Sequence, residues 1–201
     1  MEKIPTIEEV TKAFNMVMNS DACFSLFNNL ADLANKKAEE PMDNDSYWDA
    51  LMLTRYMFLK TNHSLCMVTG HDAEVSFLDT LSATFRDTLI RVRESHGKAF
   101  IIFIANSIPQ SIRSTFRDFL QDNTLECVAV TLTDPKLLTH FITCDDKMVR
   151  IEEYHEPLKL SSRADTVKAK MYFNNPARTK MSQDFFNSLW RHIQSKLEDK
   201  K

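Results

Sequence analysis

A chain of 201 residues of which 43% are hydrophobic is long enough for one to one and a half domains and can bury a real core, which excludes wholesale disorder. Its formal charge of −3, from 25 basic and 28 acidic residues, excludes a uniformly basic nucleic-acid binder, and no polybasic tract marks it for a membrane surface. Only 2 glycines occur, where average usage would give roughly fourteen, and this excludes nearly every glycine-built phosphate cradle.

Residues 1–62 read as a helical region. Thr6 and Glu9 have the spacing of a capping box, followed by an apolar stripe of Val10, Phe14, Val17 and Met18. A second helix is expected over 21–39, with Phe24, Phe27, Leu30, Leu33 and Ala34 on one face. Pro41 to Ser46 breaks it, and a third helix over 46–60 places Trp48, Leu51, Met52, Tyr56 and Leu59 at helical spacing.

After Asn62 the period changes. Residues 64–69 form a short, nearly continuous apolar run, the pattern of a strand buried on both faces. Gly70 turns the chain, Asp72 is a candidate N-cap, and Val75, Leu78, Phe85, Leu89 and Val92 mark one long helix that Gly97 is expected to end at C′. Residues 98–105 give a second buried strand and complete a βαβ unit. A helix over 109–122 turns Ile112, Phe116, Phe119 and Leu120 inward, and 125–132 is a third strand. Residues 139–144 and 148–153 read as a hairpin around Asp145-Asp146-Lys147, with Arg150 and Glu152 on one face. A short helix is expected over 164–173, and a last one over 178–197 buries Phe185, Leu189, Trp190 and Ile193.

The four cysteines, Cys23, Cys66, Cys127 and Cys144, are isolated and read as buried thiols, with neither metal spacing nor a disulfide framework. With no apolar signal core and no run near the ~20 residues that span a bilayer, the expected location is a reducing cytosol. Charge is uneven: residues 1–62 hold 6 Lys/Arg and 10 Asp/Glu, whereas residues 157–201 hold 10 and 4. That basic segment is a candidate surface for nucleic acid, and the wide apolar stripes of the N-terminal helices are candidates for gripping a larger protein subunit or a second copy.

The order of elements resembles one lobe of the phospholipase D-like superfamily, over about residues 62–195. The local likeness lies in His140-Phe-Ile-Thr-Cys-Asp145 with Arg150-Ile-Glu152, then Tyr172-Phe-Asn174-Asn-Pro176 and the Phe185-Phe-Asn-Ser-Leu-Trp190 helix. It looks like the terminal portion of catalytically degenerate members. The resemblance implies an α/β chain: a helical N-terminal region, 1–62, then a phospholipase D-like α/β/α lobe with a mixed sheet, 63–201.

Active members use His-x-Lys followed by four residues and Asp. Counting from His140, the lysine position is Ile142 and the aspartate position is Lys147; counting from His96, Lys98 fits but the aspartate position is Phe103. A nucleophilic histidine needs an orienting acid and a cationic phosphate clamp, so neither set is complete. His96-Gly97-Lys98 reads more simply as a helix terminus.

The resemblance therefore implies a non-catalytic interaction or regulatory subunit of a cytosolic bacterial assembly, with phage or plasmid defence as one setting, and no cofactor or metal. The alternative is a phosphodiesterase or nuclease completed by homodimerisation, with His140 as nucleophile and Asp145 as its acidic partner. A third reading is nucleic-acid binding. Independently of the resemblance, His71 and Asp72 after the first strand and Asn106 and Ser107 after the second stand at the edge where open α/β sheets hold ligands. The acidic stretch Asp145, Asp146, Glu152, Glu153, His155 and Glu156 has no recognised metal spacing.

Overall fold

The computed structural model describes residues 12, 16, 21–36, 41–70, 77–134, 138–153 and 167–198. The capping box, His71, Asp72, His155 and the start of the expected 164–173 helix lie outside them. Among the described residues the elements run α1 (Asp21–Asn35), β1 (Met42–Asn44), α2 (Tyr47–Lys60), β2 (Ser64–Gly70), α3 (Phe77–Thr80), α4 (Ser82–Glu94), β3 (Lys98–Ile104), α5 (Gln110–Thr115), α6 (Arg117–Gln121), β4 (Leu125–Val130), β5 (Phe141–Cys144), β6 (Met148–Glu152), β7 (Ala169–Tyr172) and α7 (Pro176–Glu198).

The seven strands make one mixed sheet in the order β1-β7-β6-β5-β2-β3-β4. β2, β3 and β4 run parallel, joined through α3–α4 and α5–α6, and β5, β6, β7 and β1 extend the sheet by antiparallel pairing from β2. Period-2 alternation sends Leu65 and Met67 to one face and Cys66 and Val68 to the other, and all four are buried. The first face packs against α1, α2, α4, α5 and α6 through Leu30, Leu51, Phe58, Phe85, Ile112 and Phe119. The second is covered by α7, whose Phe186 and Ile193 meet Phe141, Ile102 and Val128. This is the α/β/α architecture with a mixed sheet that the sequence pattern implies.

Local chemistry sets the helix ends. The Ser46 hydroxyl accepts the Asp49 N–H at 3.1 Å and caps α2. At its other end the Phe58 carbonyl accepts from the Thr88 hydroxyl (2.9 Å) and Arg91 Nη2 (2.6 Å), which fastens α2 to α4.

Several expectations are corrected. Residues 42–44 are not part of a helical region or its break but an edge strand paired with β7. Residues 169–172 are β7 and not helix: Ala169 and Met171 are buried while Lys170 between them is exposed, and both neighbouring strands supply the hydrogen bonds. On α7 the inward aromatic is Phe186, and Phe185 is 51% exposed. The long helix expected after β2 and the helix expected after β3 are each interrupted at one residue, Leu81 and Phe116, whose N–H groups still bond the Phe77 and Ile112 carbonyls.

Gly97 also works differently from expectation. The left-handed residue after α4 is His96, with φ 56. Its N–H bonds the Arg93 carbonyl (3.0 Å) and the Gly97 N–H bonds the Val92 carbonyl (2.8 Å), a Schellman pair with histidine at C′ and glycine at C″.

Candidate functional site

The site grows from the β5–β6 hairpin. Its register pairs Ile142 with Arg150 and Phe141 with Ile151, and the Glu152 N–H bonds the His140 carbonyl at 2.9 Å. Opposed residues share a face, so His140, Ile142, Arg150 and Glu152 stand together on one side of the sheet. His140 Nδ1 lies 3.2 Å from Glu152 Oε2, with the two side chains 25% and 13% exposed. The other carboxylate oxygen, Oε1, pairs with Arg150 Nη1. Arg150 Nε donates to Asn44 Oδ1 on β1 (3.1 Å), and Asn44 Nδ2 donates to the Val167 carbonyl (2.8 Å). The Arg150 side chain is 2% exposed, and its Nη2 is buried with no hydrogen-bond partner among the described residues.

Gly70 makes room for the imidazole. A Cβ there would fall 3.0 Å from His140 Cε1 and 3.3 Å from Nε2, so a side chain at the end of β2 would make the imidazole give by a few tenths of an ångström. Because β5 runs antiparallel to β2 with Phe141 opposite Val68, His140 sits at the carboxyl edge of the parallel strands. Asn106 is at the same edge, where its Oδ1 accepts the Thr131 hydroxyl at 3.0 Å and ties the loops after β3 and β4; Ser107 beside it is exposed.

Asp145 is at the opposite end of β5, roughly 15 Å from His140 by strand rise, so the structure does not bring these two together. The carboxylate beside His140 is Glu152. Asp145 adopts φ 51, and its carboxylate accepts three backbone N–H groups, from Asn62 (3.1 Å), His63 (2.8 Å) and Ser64 (2.9 Å). It anchors the start of β2 to the hairpin. Asp145→Ala should therefore cost about 2 kcal/mol, since two of the three N–H groups are exposed and water replaces part of the loss. Asp145→Asn should cost less, because asparagine tolerates the left-handed backbone and keeps one acceptor oxygen. Urea unfolding of the two variants checks the order, and an Asp145→Ala midpoint equal to wild type would sink the anchoring role.

The hairpin thus splits the acidic stretch between its two ends, and no group of three or more metal-ligating side chains occurs among the described residues. No disulfide joins any of the four cysteines. Burial pushes the Cys66 thiol up to about 11 and the Cys127 thiol up to about 12, and raises that of Cys144, from an ordinary value near 9. None of these three is a thiolate nucleophile at neutral pH. Lys98, the cation of the His-x-Lys triplet at His96, is paired with Glu126 at 2.6 Å.

Sequence reasoning missed Glu152 as a neighbour of His140 and Asn44 as a partner of Arg150. The signal for Glu152 was present: a hairpin closed by the three-residue turn 145–147 sets residue 152 opposite residue 140. Nothing local signals Asn44, which arrives through β1.

This fold is similar to those of several solved structures, a phospholipase D family member among them. Two solved structures that carry the likeness are Nuc from Salmonella typhimurium, a phospholipase D family member (TM-score 0.51, 11% identity, 76% of this chain and 95% of that one), and NucT from Helicobacter pylori (TM-score 0.51, 10% identity, 76% and 97%). A third is TrmBL2, an archaeal chromatin protein whose structure shows a novel mode of DNA binding (TM-score 0.56, 16% identity). That alignment covers 92% of this chain, which spans 64% of the archaeal protein's length. At these identities the likeness is one of fold. No protein-family model matches the sequence, and no curated protein does. No helix among the described residues is long and apolar enough to cross a membrane.

Proposed function

We propose that this chain is a phospholipase D-like interaction or regulatory module that does not cleave phosphodiesters. One observation carries the reading. Ile142 stands where active members place the phosphate-binding lysine, and the cation opposite it, Arg150, is 2% exposed and ion-paired to Glu152. A buried guanidinium whose charge is already matched supplies little field to a developing phosphorane. In this proposal residues 63–201 form most of the degenerate lobe, to which β1 and α2 add an edge strand and part of the core, and the surface of residues 1–62 left outside that packing serves a larger subunit or a second copy. Four cysteines without a disulfide fit a reducing compartment, and a bacterial defence assembly is the proposed setting.

A second reading, a phosphodiesterase completed by homodimerisation, is favoured by the 3.2 Å contact of His140 with Glu152, which orients an imidazole as a nucleophile requires. The fold shared with Nuc, a phospholipase D family member, agrees with it. Hydrolysis of bis(p-nitrophenyl) phosphate and of single-stranded DNA separates the two. The module reading expects no turnover above buffer for wild type and no change in His140→Ala. Wild-type turnover that His140→Ala abolishes would overturn it.

Nucleic-acid binding without cleavage is a third reading, supported by exposed Arg178, Arg191 and Lys196 on α7 and by the fold shared with an archaeal DNA-binding protein. It requires affinity that falls steeply with salt.

A further inference from the structure

The sheet's two edges are built differently. β1 is three residues long, follows Pro41 and carries the exposed Asp43, which are ordinary devices for blunting an edge. β4 has fewer of them. Its six residues, Leu-Glu-Cys-Val-Ala-Val, contain no proline or lysine and run against β3 in unbroken register from Leu125 to Val130. Its single charge, Glu126, is matched by Lys98 at 2.6 Å.

The backbone groups facing away from β3 can be assigned. The Thr124 and Val130 carbonyls accept the N–H groups of Ala99 and Ala105. Both groups of a strand residue point to the same side, and sides alternate along the strand. Glu126, Val128 and Val130 therefore serve β3, while Leu125, Cys127 and Ala129 direct an N–H and a C=O each outward. Among the described residues no strand pairs with that side.

We infer that the outer edge of β4 docks a second copy of this chain, with the two β4 strands antiparallel about a twofold axis through Cys127. The spacing is self-complementary. Cys127 exchanges both bonds with the partner's Cys127, Leu125 with the partner's Ala129, and Ala129 with the partner's Leu125, so every outward group on these three residues is satisfied. The same register sets each Glu126 opposite the partner's Val128 and not the partner's Glu126, and each carboxylate keeps its lysine. The edge lies outside residues 1–62, so this association is independent of the partner role proposed for them.

Ala129→Pro is the direct test. It removes one outward N–H, and proline is accepted on an edge strand whose N–H does not serve the ladder. Light scattering after size exclusion should give a dimer for the wild-type chain at about 100 µM and a monomer for Ala129→Pro, whose melt should match that of wild type only at a dilution where both are monomers. Residue-resolved amide exchange gives a second readout that needs no variant. On dilution the Leu125, Cys127 and Ala129 amides should exchange at least about tenfold faster, while Val128 and Val130 stay protected. A wild-type monomer at every concentration, a folded Ala129→Pro dimer, or outward amides whose protection ignores dilution would each overturn the inference.

Discussion

Gly97→Ala should lower the thermal midpoint by about 6 to 12 °C, from a cost of at least about 3 kcal/mol in a chain of this size. The reason is a close approach and not backbone freedom. A Cβ at residue 97 would fall 1.7 Å from the His63 carbonyl oxygen and 2.7 Å from its carbon. That carbonyl cannot swing away, because it accepts the Lys98 N–H at 3.1 Å where β2 and β3 begin their parallel pairing. The left-handed conformation belongs instead to His96, at φ 56. His96→Gly should therefore leave the fold intact and gain about 0.5 to 1 kcal/mol, since glycine enters that region without the Cβ penalty. Circular-dichroism melts of the two variants check the pair of signs. A Gly97→Ala melt within about 2 °C of wild type, less than one kcal/mol in a chain of this size, would mean that the His63 segment yields easily.

The same two residues show what is legible in a sequence. A lone glycine after an amphipathic stretch marks a helix end, and α4 does end there; which of two adjacent residues takes positive φ depends on the strand packed against the turn. β7 shows a similar limit. Residues 164–173 lack turn signals and contain helix formers, yet Ala169, Lys170 and Met171 alternate in burial because β6 and β1 flank them. Tertiary pairing outweighs the weak local propensity. Phe185 and Phe186 differ by one position, and a stripe read from a single sequence fixes helical phase only to about one residue. The parallel strands were readable because burial on both faces leaves continuous apolar runs, which 64–69 and 99–104 have. His140 was visible as a candidate, but its surroundings come from three strands whose register only the assembled sheet defines.

Arg150→Met should be the other strongly destabilising change, at about 3 to 5 kcal/mol, because it takes the guanidinium away from a largely buried carboxylate. Glu152, 13% exposed, loses the guanidinium on Oε1 and keeps His140 on Oε2. Asn44 loses the Nε donor that joins β1 to the hairpin side of the sheet. Methionine fills most of the vacated volume, so the loss reports the missing charge and bonds more than a cavity. Arg150→Met combined with Glu152→Met should recover at least half of it, since a buried ion pair exchanged for apolar groups of similar size is close to neutral, whereas a half-pair is not. Urea unfolding of the two single variants and the double variant completes the cycle, with an expected coupling of about 2 kcal/mol or more. Additive losses would show that Arg150 and Glu152 act separately. An Arg150→Met chain as stable as wild type would mean that this guanidinium is not tied up in holding the fold together, and the main support for a module without phosphodiester chemistry would go with it.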